Sequence, residues 1–258
     1  METLIQIDAL TKTYTLSRRQ RRISGDSRHR LTAVDHLSLD VYRGEIFGLL
    51  GPNGAGKTTT LRMLATLIRP DSGDALIDSC SVVSQPEAVR QRIGFLTSDL
   101  KLEDFFTPNY LFDFFSQLHH VEPEVMQQRK QALFSRFGID RYAEVKVRNL
   151  STGMRQKTSL VVSLVHDPAI VIFDEPTNGL DVLTARTVTD YLAELKAEGK
   201  TIVLSTHIFS LVERLCDRVG IIIDGRLAAC DTLQNVCNSM SLEDRFFEIY
   251  KAEKGGEW

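Results

Sequence analysis

Gly51-Pro-Asn-Gly-Ala-Gly-Lys-Thr58 is the stretch of this 258-residue chain that decides its fold. It has the spacing G-x-x-x-x-G-K-T, in which a glycine-rich loop turns its backbone N–H groups toward phosphate oxygens at the start of a helix. The mostly apolar run Glu45–Leu50 before it is typical of a buried parallel strand, and Thr59–Leu64 after it is typical of a helix. Strand, loop and helix are the context this motif requires, so the sequence predicts a phosphate-binding loop.

The loop predicts a site for ATP with Mg²⁺. Lys57 is expected to reach the β- and γ-phosphates as a point charge, and the Thr58 hydroxyl is expected to ligate the Mg²⁺ that bridges them. The predicted ATP-binding residues of the loop are Gly51, Pro52, Asn53, Gly54, Ala55, Gly56, Lys57, Thr58 and Thr59.

A second apolar run, Ile170–Phe173, ends in two adjacent carboxylates, Asp174 and Glu175. Successive residues at a strand end point in different directions, so Asp174 is predicted to bind the metal and Glu175 to act as the general base. Acidic pairs at strand ends also serve as helix caps. Their position after a phosphate loop favours the catalytic interpretation.

Together with Leu150-Ser-Thr-Gly-Met-Arg-Gln156, these motifs resemble the nucleotide-binding subunits of ABC transporters, from Leu4 to about Leu227. Ser151 and Gly153 match the serine and second glycine of that family's signature sequence. The resemblance implies that this segment opens a helix and binds the γ-phosphate held by a second subunit. One active site would therefore need two subunits, and we expect a homodimer.

The resemblance assigns roles to three further residues. Asp181 matches an aspartate that crosses the dimer interface toward the partner's phosphate loop, and His207 matches a histidine that contacts the γ-phosphate and steadies the attacking water. Tyr14 matches an aromatic residue that stacks on adenine. A lone histidine at a strand end is more often structural, but the position of His207 about thirty residues after Glu175 favours the catalytic interpretation. An aromatic residue in an N-terminal strand is more often a core residue, so both interpretations remain open for Tyr14.

Thr152 and Met154 depart from the family's signature sequence at tolerated positions, and a third departure affects the metal site. Where the family has a glutamine that touches Mg²⁺ and links the nucleotide site to the membrane partner, the aligned residue is Ser98. A serine would reach the metal only through water. The substitution is compatible with hydrolysis but removes the usual coupling residue.

The expected fold is of the α/β class: a P-loop NTPase with a parallel-sheet core, an N-terminal antiparallel β region and an inserted α-helical subdomain. We expect an ABC ATPase domain over residues 1–230, with its core in 1–97 and 151–230, the helical subdomain in about 99–150, an Arg-rich insertion in 17–30 and a helical tail in 231–258.

The helical subdomain is rich in aromatic residues, and Pro108 and Pro123 are expected to begin helices. We expect most of the aromatic side chains to fill the subdomain's own core and a few to remain exposed. The resemblance implies a groove beside them that receives a coupling helix from a separate transmembrane permease subunit. The six aromatic residues are Phe105, Phe106, Tyr110, Phe112, Phe114 and Phe115.

Two segments have more than one interpretation. Ser17–Arg30 holds six arginines and is either a solvated loop or a contact with anionic lipid headgroups, with RNA contact a third interpretation. The tail carries apolar residues on helical spacing, among them Leu242 and Phe246, which predicts an amphipathic helix that docks on the body or on a twin subunit.

Composition restricts the class of protein. The formal net charge of −3 argues against a specific nucleic-acid partner. The four cysteines lack metal-ligand spacing and are expected to be reduced thiols, so zinc is not expected. No apolar stretch approaches the about 20 residues needed to span a bilayer. We therefore expect a cytoplasmic protein, peripheral on the inner face of the cell membrane, whose transport path lies in another chain.

The sequence thus predicts the ATP-hydrolysing subunit of an ABC transporter. Ser151–Lys157 and Gly94–Thr97 are similar to sodium-export ATP-binding proteins and their drug- or lipid-exporting relatives, which favours export. Two alternatives remain open: a regulatory subunit that binds ATP with little turnover, and a soluble ABC ATPase without a transport role. The cargo is not encoded in this chain.

Overall fold

Two β-sheets organise the protein in a computed structural model that describes residues 2–16, 29–97 and 102–255. The strands are β1 (Thr3–Thr15), β2 (Arg30–Tyr42), β3 (Ile46–Leu50), β4 (Ser72–Ile77), β5 (Cys80–Ser81), β6 (Ile93–Thr97), β7 (Ile170–Asp174), β8 (Thr201–Thr206), β9 (Arg218–Ile223) and β10 (Arg226–Thr232). The larger sheet has the order β10-β9-β3-β8-β7-β6 and is parallel except for the antiparallel pair β9 and β10. The smaller sheet, β2-β1-β4-β5, is antiparallel.

Helices cover the parallel sheet, whose strands β3, β7 and β8 are buried along their whole length. Continuous burial is typical of central parallel strands with both faces covered. The predicted fold class is therefore confirmed. The helices are α1 (Lys57–Leu64), α2 (Pro86–Arg92), α3 (Pro108–Leu118), α4 (Pro123–Phe137), α5 (Thr152–Val162), α6 (Val182–Ala197), α7 (Phe209–Leu215), α8 (Leu233–Cys237) and α9 (Leu242–Glu253).

Helix α1 joins the two sheets through one apolar core. Leu61 and Met63 of α1 are fully buried, and the same core contains Ile5 of the antiparallel sheet and Ile172 of the parallel sheet. Burial of this kind contributes about 1.5–3 kcal/mol for each large apolar side chain. The loop that precedes α1 is thereby held between the two sheets.

The inserted helices begin where the prolines predict. Pro108 and Pro123 are the first residues of α3 and α4. The Thr107 side chain accepts a hydrogen bond from the Tyr110 backbone N–H at 3.2 Å and caps α3, while Gly138, with φ 66°, ends α4. Proline suits the first turn of a helix because the N–H groups there have no intrahelical acceptor, so the N–H that proline lacks is not missed. Glycine suits the residue after the helix because it adopts a left-handed conformation without steric cost.

The aromatic residues of this region do not mainly fill its core, so that expectation was wrong. Phe112 is fully buried and Phe115 packs partly against the core, but the other four rings are exposed. Successive rings of Phe106, Tyr110 and Phe114 stack with centroid separations of 4.4 and 6.2 Å, and so contact one another along one side of the region. We call the exposed set, Phe105, Phe106, Tyr110 and Phe114, the aromatic face.

The C-terminal helix α9 docks on the body of its own chain. Its Leu242 and Phe246 are buried, and the Phe246 ring lies 5.3 Å from that of Phe209 in α7. The predicted boundary between the ABC ATPase domain and the helical tail, between residues 230 and 231, falls inside β10, which ends at Thr232. The Arg-rich insertion lies, from residue 17 to 28, outside the described residues.

Candidate active site

The phosphate loop connects β3 to α1 and presents backbone donors at the helix start. Gly56 has φ 105°, which turns the chain into the helix. The first helical hydrogen bond runs from the Thr60 N–H to the Gly56 carbonyl at 2.9 Å. The N–H groups of Lys57, Thr58 and Thr59 precede that bond, so they face outward as donors suited to phosphate oxygens.

Glycine is required at both ends of this loop by close backbone contacts. A Cβ atom on Gly51 would lie 2.3 Å from the carbonyl oxygen of Ile222, and one on Gly56 would lie 2.2 Å from that of Ala33. The middle of the loop is open, because a Cβ on Gly54 would meet nothing within 4 Å. The other predicted loop residues range from exposed Asn53 through half-buried Pro52 and Thr59 to buried Ala55.

Lys57 is buried and points back over its own loop. Its ammonium donates to the carbonyl oxygens of Gly51 at 2.7 Å and Pro52 at 3.2 Å. Burial lowers the pKa of Lys57, while the nearby Glu175 and Asp174 carboxylates act in the opposite direction. The cation therefore sits between the loop and the acidic strand end, where it can meet phosphate charge.

Asp174 lies beside the loop threonine, as the metal-site prediction requires. Its carboxyl is 2 % exposed, and its Oδ1 accepts a hydrogen bond from the Thr58 hydroxyl at 3.1 Å. The Thr58 hydroxyl oxygen and the Asp174 carboxylate oxygens are hard ligands of the kind Mg²⁺ prefers. Within the described residues, no group of three or more His, Cys, Asp or Glu side chains forms a metal site. The residues thus fit a Mg²⁺ ion that takes most of its ligands from phosphates and water.

Glu175 and His207 form a hydrogen-bonded pair. The His207 Nδ1 lies 2.9 Å from the Glu175 Oε1, and the histidine side chain is 48 % exposed against 13 % for the glutamate. Glu175 has φ 53°, an unusual conformation for a residue with a side chain, which turns it away from the direction of β7. Its Oε2 is buried with no hydrogen-bond partner among the described residues, so this oxygen can accept a hydrogen bond from a bound molecule.

Two hydroxyl residues of this site were missed by the sequence analysis. Thr97 and Ser205 are paired with Asp174 on either side in the parallel sheet. Their hydroxyls donate to the Asp174 Oδ2 at 3.5 Å and Oδ1 at 2.5 Å, respectively. The available signal was a polar residue at the carboxyl end of an otherwise apolar strand. That signal becomes specific only when the strand order is known.

The residues predicted to act across a dimer lie at the starts of two helices. Ser151 caps α5 by accepting from the Met154 N–H at 3.3 Å, and Asp181 caps α6 by accepting from the Leu183 and Thr184 N–H groups, each at 3.1 Å. A hydrogen bond from the Thr184 side chain, above all, lowers the pKa of Asp181, and the two N–H groups act in the same direction. Both capping residues are exposed to solvent.

Three predicted site residues remain, and the structure describes two of them. Gly153 lies in the first turn of α5, where an added Cβ would meet nothing within 4 Å. The Tyr14 ring is 38 % exposed, so it is not a core residue and offers a surface for stacking. Ser98 lies outside the described residues.

A cleft of about 640 Å³ links the acidic strand end to the aromatic face. Its lining includes Thr97 and Asp174 from the sheet, Arg155 from α5 and Phe105 from the aromatic face. A side chain or loop that enters the cleft would therefore contact both regions.

Comparison with known proteins gives one consistent result. The family model described as ABC transporter matches residues 34–178. The ABC transporter ATP-binding protein NatA of Bacillus subtilis is 39 % identical over 220 residues, which cover 85 % of this chain and 89 % of NatA. The Nod factor export ATP-binding protein I of Ralstonia nicotianae is 38 % identical over 198 residues, 77 % of this chain and 62 % of that protein.

A solved structure agrees with these relatives. The structure of an ATP-binding subunit of an ABC transporter superposes on this chain with a TM-score of 0.86 at 28 % identity, and the match covers 96 % of this chain and 100 % of that chain.

Proposed function

Because the chain belongs to the ABC transporter family of ATP-binding proteins, we propose that it is the ATPase subunit of an export-type transporter in which two copies close on two MgATP molecules. That it binds ATP and is an ATPase follows from the family. The finer proposal concerns the residues that act, the partner chains and the direction of transport.

The observation that carries the proposal is that the start of α1 and the carboxyl ends of β7 and β8 bring five side chains together: Lys57, Thr58, Asp174, Glu175 and His207. The loop N–H groups and Lys57 bind and orient the phosphates of ATP, and stacking on Tyr14 holds the base. When bound, Mg²⁺ neutralises phosphate charge, and Thr58 and Asp174 are the residues that would hold it, joined through water by Ser98.

Glu175 is the proposed general base. Its unpaired Oε2 orients a water molecule for in-line attack on the γ-phosphate and takes its proton, while His207 holds the other carboxylate oxygen at 2.9 Å. Because the Glu175 side chain is largely buried, bulk water has little access to its carboxylate, and the surrounding protein groups act on its charge with little screening.

The second copy completes the site. Ser151 and Gly153 at the start of α5 are proposed to bind the γ-phosphate in the partner's loop, and Asp181 to contact that loop. Val182 and Leu183, directly after Asp181, are 84 % and 80 % exposed. Two large apolar side chains so exposed beside a helix start favour burial against another chain.

A membrane partner is proposed for the aromatic face. No helix in the described ranges is long and apolar enough to cross a membrane. Four exposed aromatic rings beside the 640 Å³ cleft give a separate permease subunit a surface that leads to the nucleotide site. The relative named for Nod factor export supports the outward direction. Such an assembly places the chain at the cytoplasmic face of the cell membrane, where the arginines of the insertion are proposed to contact anionic lipid.

Hydrolysis measured against protein concentration tests the proposal. We expect the rate of MgATP hydrolysis per subunit to rise with concentration, because each site needs a second copy. Glu175→Gln should lower turnover at least about 100-fold, the usual share of a general base, and still bind ATP. Glu243→Gln, an exposed glutamate of α9, is the matched control and should retain full activity.

Two outcomes would contradict the proposal. Tight ATP binding without turnover in the unmodified chain would favour the regulatory alternative. A rate per subunit independent of concentration, in a chain that sedimentation shows to remain monomeric with MgATP, would exclude activation by self-association. Full turnover in Glu175→Gln would show that another residue is the base.

A further inference from the structure

The carboxylate of Asp174 is surrounded by hydroxyl groups. It accepts from Thr58 of the loop, from Thr97 of β6 and from Ser205 of β8. Asp174 is 2 % exposed and Ser205 is fully buried, so water contributes little to holding this carboxylate. A buried carboxylate is stable only when its oxygens accept hydrogen bonds, and those bonds also fix its orientation.

Ser205 contacts both acidic residues of the site. Its hydroxyl donates to the Asp174 Oδ1, and its carbonyl oxygen accepts from the Glu175 backbone N–H at 3.1 Å. It also lies two residues before His207, which holds the Glu175 side chain. The end of β8 therefore sets the positions of the metal-site carboxylate and of the proposed base together.

The hydrogen bond from Ser205 falls on the same oxygen that faces Thr58. Since the Asp174 Oδ1 accepts from both hydroxyls, the bond from Ser205 aims this oxygen at the point where the Thr58 hydroxyl also lies. The bond from Thr97, at 3.5 Å, goes to the other oxygen and is longer. Of the two sheet hydroxyls, Ser205 therefore has the greater control over the oxygen that would bind a divalent cation.

We propose that Ser205 is a positioning residue for the divalent-metal site, which orients the Asp174 carboxylate before the metal–nucleotide complex binds. The proposal rests on the metal site placed at Thr58 and Asp174 under the proposed function. Loss of an outer hydrogen-bond partner of a metal ligand typically weakens metal binding 10–100-fold. The effect should appear in metal affinity and not in the affinity for metal-free nucleotide, which depends on the loop and Tyr14.

The test measures Mn²⁺ binding to the full chain in the presence of ADP by electron paramagnetic resonance, so no turnover is involved. Ser205→Ala should raise the Mn²⁺ dissociation constant about 10-fold or more. Ser205→Thr, which keeps the hydroxyl, should bind Mn²⁺ close to the unmodified chain. The affinity for ADP in EDTA should change less than about 2-fold in either variant, because the phosphate loop is untouched.

Thr201→Ala is the matched control. Thr201 is also a fully buried hydroxyl residue of β8, but its oxygen accepts from the Gly44 N–H at 2.8 Å, at the opposite end of the strand. If Thr201→Ala weakens Mn²⁺ binding as much as Ser205→Ala does, the effect is a general loosening of β8 and the proposal is overturned. An unchanged Mn²⁺ affinity in folded Ser205→Ala overturns it as well.

Two further results separate this inference from the function on which it depends. If the unmodified chain with ADP binds no Mn²⁺, the proposed metal site itself fails, whatever the variants do. If Ser205→Ala does not fold, Ser205→Cys, which nearly keeps the volume but has only a weak donor, takes its place with the same expected loss and the same criteria.

Discussion

At the scale of the residue, the two glycines that bracket the phosphate loop are fixed by contacts with strands distant in sequence. Gly51 lies against the Ile222 carbonyl of β9, and Gly56 against the Ala33 carbonyl of β2. Gly56 also has φ 105°. A side chain at Gly56 would therefore meet both a steric and a conformational obstacle.

Gly56→Ala should destabilise the protein and abolish ATP binding. The left-handed conformation alone costs about 1–2 kcal/mol for a residue with a Cβ, and the 2.2 Å approach to the Ala33 carbonyl adds to that cost. Urea unfolding and binding of a fluorescent ATP analogue measure the two effects.

Gly153→Ala is the stability control, because it lies in a helix with open space around it and should leave the free energy of unfolding unchanged or raise it. Equal stability of Gly56→Ala and the unmodified chain would show that the loop can move away from β2.

At the scale of the element, the C-terminal helix α9 illustrates how a short helix is held by one apolar stripe. Ser241 caps it by accepting from the Asp244 N–H at 3.0 Å. Leu242 and Phe246, one turn apart, are buried, and the Leu242 N–H donates to the Glu213 carboxylate of α7 at 3.0 Å. Helix α7 begins two residues after His207, so α9 supports the element that follows the site histidine.

Phe246→Ala should lower the free energy of unfolding by about 3–5 kcal/mol, the usual cost of removing a buried phenyl ring. Urea denaturation followed by circular dichroism measures this change. The exposed neighbour Glu243→Gln should stay within about 0.5 kcal/mol of the unmodified chain. A similar small change for both variants would mean that α9 is not docked on α7.

At the scale of the whole molecule, a pair of histidines joins the helical subdomain to the catalytic core. His119 follows α3 and His166 precedes β7, and their rings stack with centroids 3.8 Å apart. The His166 Nε2 lies 3.1 Å from the Ile93 carbonyl of β6. Burial, above all, lowers the pKa of His166 to about 4 and also lowers that of His119.

Stability should therefore fall as the pH is lowered from about 6.5 toward about 4. The unfolded chain binds a proton at His166 more readily than the folded chain does, so unfolding is accompanied by proton uptake in this pH window. Below the window His166 is protonated in both states and causes no further decrease in the free energy of unfolding. His120, Arg129 and Asp167 are the other charged or titratable groups around the pair.

Thermal unfolding between pH 7.5 and 4.5 checks this prediction. The decrease in melting temperature between pH 7.5 and 4.5 should be smaller in His166→Asn than in the unmodified chain. It should not be smaller in His36→Asn, because His36 is exposed and lies outside the histidine pair. The same loss in His166→Asn as in the unmodified chain would exclude His166 as its source.

The sequence by itself determined the phosphate loop, the acidic pair, the proline-started helices and the class of fold. Each of these depends on a pattern within a short stretch of sequence: a glycine spacing, an apolar run with a polar end, or a proline before a helical pattern. Local patterns of this kind fix which groups stand at strand and helix ends. They also carried the family resemblance that the comparisons confirm.

Only the tertiary structure decided which ends lie side by side and which faces remain open. Ser205 is 31 residues and Thr97 is 77 residues from Asp174, and they meet it only because β7 lies between β6 and β8 in the sheet. In the aromatic face, Phe106, Tyr110 and Phe114 stack on one another and remain exposed, while Phe112 of α3 is buried. The spacing of residues along the sequence does not reveal the order of strands in a sheet or which face of a helix is buried, since both depend on how distant elements pack.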